Sequence, residues 1–599
     1  MYKSLFEREY LNKHLLKNWI NENWQLLSKY NISKESFLSG VDDIQKIHIE
    51  DFYKDQKSIE LAILTLQKTT TRAQRLYILL NFLNNDKQKE IYNRIREELG
   101  VAANSIFAES SKITSIEKFY TKSGMISFLQ NLHHNIDDMI NIESWMLENI
   151  SNLTKENKDT LSMDILKLYL IEYQNKWEEL LWSLEPKQYG SKDATLNQLS
   201  VLSKIDNPLS TLIKIVTINT NLNDVFLLKE AYNTGLNTNE IKMHFGQITN
   251  TFSPYHKLIK QDSFLNSGVS AVGLSADTDT NMMEVIGLDI KNIHAKIVEF
   301  DTNNTQSVDN KISYAFNHRQ EQHDPFVIFS NDIKQLPPEL ERYYTKLYLY
   351  AWNLIESRGI SLLNTAWFNE VSTPFMNEIA PFYPFNTQSM QELSMDAFKS
   401  FFGKNGTLNK FYNKYLHSVL IKKTNSYLLT TQSDVNINFS KSFLGFMRNA
   451  KNLSELMLNA NDNIKVNFTL QSLDLSADFS AIELQYNSHN VRYDHTLNSI
   501  LQIIGEQFNA NTNLSLTTFD YHNPNVTHNK TYSGEWAWYR FLQENRHNGA
   551  YSIFFNNNEK LYFDFKLTNG ALEVQQILNI IQQLRIVESV TIGENNDEQ

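Results

Sequence analysis

The side chains that could do chemistry in this chain fall into a few groups. Gly403-Lys404-Asn405-Gly406-Thr407 is the nearest approach to a phosphate-binding loop. Such a loop surrounds phosphate oxygens with backbone N–H groups and a lysine, and it needs a Gly-Lys-Ser/Thr ending after a strand. Here the ending is missing and a helical pattern precedes it. His133 and His134 stand five and four residues before Asp138 and could be drawn as ligands of one metal. Adjacent helical residues point about 100° apart, so a solvated helix face is the better reading. Glu178 and Glu179 could be drawn as an acid/base pair but read more simply as the polar face of a helix. His489, His495, His522 and His528 make a metal site only if the fold gathers three of them. Trp536, Trp538, Tyr539 and Phe541 could be a sugar-stacking platform, but a partner site or a helix buried against a sheet is favoured. No His-Glu-x-x-His and no Gly-x-Ser-x-Gly occurs.

Composition removes further classes. The chain has 599 residues and no cysteine, which excludes thiol nucleophiles, thiolate zinc sites, iron–sulfur clusters and disulfides. With 56 basic and 68 acidic residues the net charge is −12, and no Lys/Arg stripe offers a nucleic-acid-binding face. Only 18 Gly and 10 Pro are present, well below the roughly 12% average, so long uninterrupted elements are expected. No run approaches the eighteen or so apolar residues of a membrane span, and Glu7, Arg8 and Glu9 leave no apolar signal core at the start. The chain is therefore expected to be cytosolic or a fragment.

The elements that must position these groups change character along the chain. Up to about residue 345 the spacing is helical, as in Leu166, Leu170, Tyr173, Trp177, Leu180, Leu181 and Leu184. Asp206-Asn207-Pro208 reads as a helix start with Pro in the first turn. Segments 261–280 and 301–310 read as loops. A helix runs from Pro338 to Ile355, with Trp367 and Phe368 in the next one. Pro374, Pro381 and Pro384 with Phe375, Phe382, Tyr383 and Phe385 then force a bend. Ser394 restarts a helix, Gly403 and Gly406 interrupt it, and helix resumes over 408–416. After about residue 460 the period becomes two, in Ile464–Leu470, Ile482–Tyr486, Leu514–Phe519, Tyr551–Phe555 and Leu561–Phe565. Helices are expected at 536–543 and 571–584, and a hairpin turn at 556–559. The fold class is α+β and multi-domain: a long N-terminal helical bundle or stalk, then a small antiparallel β-sandwich-like domain. The expected parts are 1–115 (helical), 116–345 (helical stalk), 346–455 (helical, with the aromatic-proline joint) and 456–599 (antiparallel β with one inserted and one terminal helix).

Several unusual segments, in order, resemble the C-terminal extracytoplasmic region of the TssM/IcmF family, inner-membrane scaffolds of type VI secretion with a relative in the type IVB (Dot/Icm) system. Phe119-Tyr120-Thr121-Lys122-Ser123-Gly124-Met125 resembles its Tyr-Thr-Arg/Lys-x-Gly step, and Tyr169, Tyr173 and Trp177 its Tyr-x-x-x-Trp helix. Asp206-Asn207-Pro208-Leu209, Phe252-Ser253-Pro254-Tyr255-His256 and Leu336-Pro337-Pro338-Glu339-Leu340 follow. Tyr383-Pro384-Phe385 with Phe398, Phe401-Phe402-Gly403, Gly406, Leu408 and Phe411 is the strongest match, and Gly534-Glu535-Trp536-Ala537-Trp538-Tyr539-Arg540-Phe541-Leu542 closes the series.

The resemblance implies a periplasmic structural role without enzymatic activity or cofactor. It implies a fragment of an inner-membrane-anchored protein whose membrane helices and GTPase-like domain are absent here. The implied partners are an outer-membrane lipoprotein of the TssJ type at the β domain, an inner-membrane TssL/DotU-type protein, and further copies in a ring, with no nucleic acid. Trp536, Trp538 and Tyr539 are the candidate partner-binding residues, against a reading as domain core. The rival readings are the type IVB component, a periplasmic glycan-acting enzyme and a secreted effector.

Overall fold

The computed structural model describes residues 13–591 except 23, 28–32, 44–55, 89–92, 114–115, 148–153, 260–280, 303–306, 318–321, 424–426, 430–436, 497–498, 505–510, 524, 548 and 557–558. The loop expected at 261–280 lies outside the described residues. The chain divides into two compact units, Met1–Val298 with Gln322–Trp352, and Glu299–Glu321 with Asn353–Gln599.

The first unit is helical and is organised on the helix Lys155–Trp182, 28 residues long, whose first turn is capped by Thr154. Its helical-period apolar residues are buried, including Leu166, Tyr169, Leu170, Tyr173, Trp177 and Leu180. Aromatic rings of this kind bury large area yet carry one polar atom that must find a partner. Each does: Tyr169 Oη donates to the Phe119 carbonyl at 2.7 Å, Trp177 Nε1 to the Tyr120 carbonyl at 2.8 Å, and Tyr173 Oη to the Asn219 carbonyl at 2.7 Å. The Phe119–Tyr120 turn and the helix Pro208–Thr220 are thereby registered against one helix. Asn219 Oδ1 also accepts from Lys122 N, and Thr121 caps the helix Lys122–Gln130 through Gly124 N. A side chain at Gly124 would run into the Lys118 and Phe119 carbonyls, so only glycine fits there. Asn207 caps Pro208–Thr220 as the sequence suggests, accepting from Ser210 N at 2.9 Å.

The helix expected to end near Ile355 instead runs unbroken over Pro338–Trp367, 30 residues, because no Pro follows Pro338 until Pro374, and it does so despite Gly359 in its interior. Its Arg342 and Lys346 pair with Glu185, and Arg342 also donates to the Leu184 carbonyl, closing the C-terminal end of Lys155–Trp182 with positive charge. Tyr255 Oη donates to Glu339, so the Phe252–His256 and Leu336–Leu340 segments meet.

In the second unit, Trp367 packs edge-on against Phe411, Phe443 and Phe446, with ring centroids 5.0–5.9 Å apart. Short π-helical segments at Phe368–Ser372, Phe375–Ile379 and Tyr412–Leu416 wind around this cluster, the second where the sequence suggests a bend and the third where it suggests ordinary helix. The β part follows a small hairpin, β1 (Leu420–Lys422) with β2 (Tyr427–Leu429). Its strands are β3 (Asn467–Leu475), β4 (Phe479–Tyr486), β5 (His489–Tyr493), β6 (Ile500–Ile504), β7 (Asn513–Asp520), β8 (Thr527–Ser533), β9 (Arg546–His547), β10 (Ala550–Phe554) and β11 (Tyr562–Leu567). They form two antiparallel sheets, ordered β6-β3-β11-β10-β9 and β5-β4-β7-β8. The sheets meet through Tyr493–Phe563 and Phe479–Phe555 ring contacts, and the helices Ala537–Glu544 and Ala571–Gln583 complete the layer. The first strand starts at Asn467 rather than Ile464, which instead bridges to Leu458.

His256 supplies a test of the first unit's packing. It is 2% exposed, and its Nε2 lies 2.9 Å from Thr220 Oγ1. The Thr220 hydroxyl already donates to the Val216 carbonyl, so Nε2 must carry the proton and donate. Burial lowers the His256 pKa to about 4 from the usual 6.5. The neutral ring is therefore favoured in the folded chain, and its stabilisation, whole above pH 6.5, is lost as pH falls toward 4. Unfolding in urea at pH 7.5 and 4.5 should show the wild type losing about 2.5 kcal/mol more than His256→Gln, whose amide nitrogen reaches the place of Nε2 and keeps the bond to Thr220 without titrating. Equal losses in the two proteins would refute this account.

Candidate functional site: a carboxylate clasp within the second unit

The two best-marked sequence segments, around 383–403 and 534–542, lie against each other. The first folds back on itself: Tyr383 N donates to the Gln391 carbonyl at 2.9 Å, and Leu393 N to the Tyr383 carbonyl at 2.8 Å. This brings Glu392 to the inner side of the loop. Ser394 then caps the helix Met395–Phe402 by accepting from Ala397 N. On the other side, β8 is followed by Gly534, whose φ of +104° is left-handed and whose missing side chain leaves room for the Glu392 carboxylate. That carboxylate accepts from Trp536 N at 3.4 Å and from Arg540 Nη2 at 2.9 Å. Reciprocally, the Glu535 carboxylate accepts from Met395 N, and Trp536 Nε1 donates to the Leu393 carbonyl at 2.6 Å. Arg540 lies 4.4 Å over the Tyr383 ring, and Tyr383 Oη donates to Gln543 Oε1 at 2.9 Å. Burial pushes the Glu392 carboxyl above its ordinary range, while Arg540 and the Trp536 N–H pull it part of the way back. Chemically the arrangement is a reciprocal clasp of charge-assisted hydrogen bonds.

Trp536, Trp538 and Tyr539 sit inside this clasp and are fully buried. Trp536 packs on Phe398 and Trp538, Trp538 lies 6.0 Å from Phe468, and Tyr539 meets Tyr383 edge-on. The other candidates do not converge. His133 Nε2 is 2.6 Å from the Thr234 carbonyl, while His134 and Asp138 face solvent 3.6 Å apart. Glu179 pairs with Lys112, and Glu178 accepts from Gln174. Lys404 N is bound by the Asp462 carboxylate, so 403–407 is a helix-to-helix turn. His495 lies 2.7 Å from the Phe479 carbonyl, and His528 packs on the Phe479 ring. Among the described residues, no group of three His, Asp or Glu is placed to hold a metal. Sequence reasoning missed Glu392 and Glu535. The signal available was a conformationally special glycine in a glycine-poor chain, which asks what approaches it.

Comparison with known proteins supplies the family. Family models match residues 1–221 (IcmF-related, intracellular multiplication and human macrophage-killing), 359–463 (type VI secretion protein IcmF helical domain) and 468–575 (type VI secretion protein IcmF C2-like domain). The chain belongs to the TssM/IcmF family. The type VI secretion system component TssM1 of Pseudomonas aeruginosa is 19% identical over 565 residues, covering 91% of this chain and 50% of TssM1. The chain thus spans about half the length of that relative. Two solved structures share its fold at 13% identity: a type VI secretion system membrane core complex (TM-score 0.63, 87% of this chain and 99% of the other) and a type VI membrane complex (TM-score 0.64, 90% and 96%). Seen this way, the clasp joins residues of the matched IcmF helical domain to residues of the matched IcmF C2-like domain. Among the described residues, no helix is long and apolar enough to cross a membrane.

Two substitutions test the clasp. Gly534→Ala combines an unfavourable φ with collision on Glu392, and should lower the stability of the second unit by about 2–4 kcal/mol in chemical denaturation. A double-mutant cycle of Glu392→Gln and Arg540→Met should give a coupling energy of about 1–3 kcal/mol, and strict additivity would show that the pair does not act as a unit.

Proposed function

We propose that this chain is a structural scaffold of a type VI secretion membrane complex, spanning the periplasm between the inner membrane and an outer-membrane lipoprotein of the TssJ type. The observation that carries this reading is the likeness of fold over about nine-tenths of the chain to a type VI membrane complex. The names of the matched relative and structures favour type VI over the type IVB alternative. On this reading the lipoprotein meets the β part, a TssL/DotU-type protein meets the inner-membrane end of the whole protein, and several copies associate in a ring. The division into 1–115, 116–345, 346–455 and 456–599 is the corresponding modular scheme. Trp536, Trp538 and Tyr539 serve partner binding from behind, by fixing the β strands whose outer faces make contact.

A non-enzymatic role fits the cavity of about 560 Å³ lined by Leu99, Phe107, Glu109, Ser111, Ile113 and Lys187, where Glu109 is the one carboxylate among the described lining residues. Glycoside hydrolysis requires two, set about 5–10 Å apart.

The test is reconstitution. The chain, joined to its membrane anchor, is produced with candidate TssJ- and TssL-type proteins, solubilised and purified through a tag on the chain. Recovery of both at fixed ratios supports the scaffold. A chain that recovers neither, while releasing fragments from purified cell-wall glycan, overturns it in favour of the enzyme.

A further inference from the structure

The outer face of the five-stranded sheet departs from the alternation that an antiparallel strand imposes. Along β3, Ser472 and Leu475 are buried while Leu473 and Asp474 between them are both exposed. The cause is a register shift against β11: Phe565 pairs with Ser472 and Asp564 with Asp474, so Leu473 is an extra residue. This bulge turns two consecutive side chains to the same outer face and returns Leu475 to the core. It also sets two aspartates directly opposite each other on neighbouring strands, an arrangement that costs rather than contributes stability. Among the described residues, neither is in an ion pair with a cation. Asp474 accepts from Tyr562 Oη at 2.9 Å and Asp564 from Ser552 Oγ at 2.5 Å, so both are oriented by hydroxyls. Lys566 lies two positions along β11, opposite Gln471, and among the described residues makes no ion pair with either aspartate. Beside the pair, Leu473 is 50% exposed, and Ile500, opposite Gln471 on β6, is 58% exposed. The patch is therefore an oriented double negative charge flanked by uncovered aliphatic side chains.

We propose that this bulge patch is a docking surface for a partner protein that places one lysine or arginine over the Asp474/Asp564 pair and packs apolar side chains on Leu473 and Ile500. Charge complementarity decides the occupant: a second copy offering the same face would bring four aspartates together, whereas one inserted cation relieves the repulsion already present. The proposal rests on the reading that the β part meets an outer-membrane lipoprotein of the TssJ type, and names where and by what chemistry.

The experiment measures binding of the purified, unlipidated lipoprotein to the chain and to two variants, by calorimetry at low and high salt, alongside thermal unfolding of each. Asp474→Asn with Asp564→Asn should weaken binding at least about tenfold and flatten its salt dependence, while unfolding at an equal or higher temperature. Glu483→Gln with Arg492→Gln, an exposed pair on the other sheet, should bind within about twofold of wild type. If wild type binds and the Asn variant binds equally well, the patch is not the docking surface, though the lipoprotein reading stands. If wild type does not bind, the reading and the proposal fail together.

Discussion

The Glu392 carboxylate occupies the space that a side chain at position 534 would need, and the architecture of the second unit depends on that exclusion. A carboxylate taken partly out of water is costly unless hydrogen-bonded and paired. Every partner that offsets the cost lies more than 140 residues along the chain: the Trp536 N–H and the Arg540 guanidinium. The bond from Met395 N to the Glu535 carboxylate runs the other way, and Trp536 Nε1 adds a further donor to the Leu393 carbonyl. Separating the segments leaves an unpaired acid on each side, so the helical and β parts of this unit hold together cooperatively.

The first unit reaches the same end with neutral groups. Tyr169, Tyr173 and Trp177 contribute most of their stabilisation through buried area, which has no direction. Their single polar atoms do have direction, and each finds a carbonyl on a different neighbouring segment. One helix face thus fixes the positions of the 119–124 turn and the helix Pro208–Thr220. Gly124 allows the close approach on one side, as Gly534 does in the other unit. The scarcity of glycine follows: long helices need none, and the few present at tight joints leave room for a carbonyl or a carboxylate.

This division explains what could be read beforehand. Helical period found the face from Leu166 to Leu184, and alternation found β4, β7, β10 and β11, because burial on one side writes a regular pattern into sequence. The strands β5 and β8 were missed because they are edge strands that bury few residues, so little alternation remains in His489–Tyr493 or Thr527–Ser533. The π-helical turns left no signal either, since their residues keep near-helical spacing. Trp536, Trp538 and Tyr539 were recognisable as important, and their complete burial places them in the core of the clasp. Glu392 was overlooked, and Glu535 was quoted within its segment without a role, for a different reason. An acidic residue in a loop looks solvated until the partner from the far end of the chain arrives, and nothing local announces it.

A chain without cysteine cannot fix a joint covalently, so every joint here is a set of reversible, directional bonds. In the proposed scaffold role this matters more than total stability. A disulfide at the 383–395 and 534–543 contact would hold regardless of what the neighbouring elements did. The clasp instead holds only while its several acceptors and donors are aligned together, because losing one leaves a buried group unsatisfied and weakens the rest. It resists small displacements steeply and gives way as a whole under large ones. Moving the β sheets against the helical part of the same unit therefore requires the Glu392 and Glu535 bonds to break together, along with the bonds of Trp367 and Asn364 to the C-terminal segment.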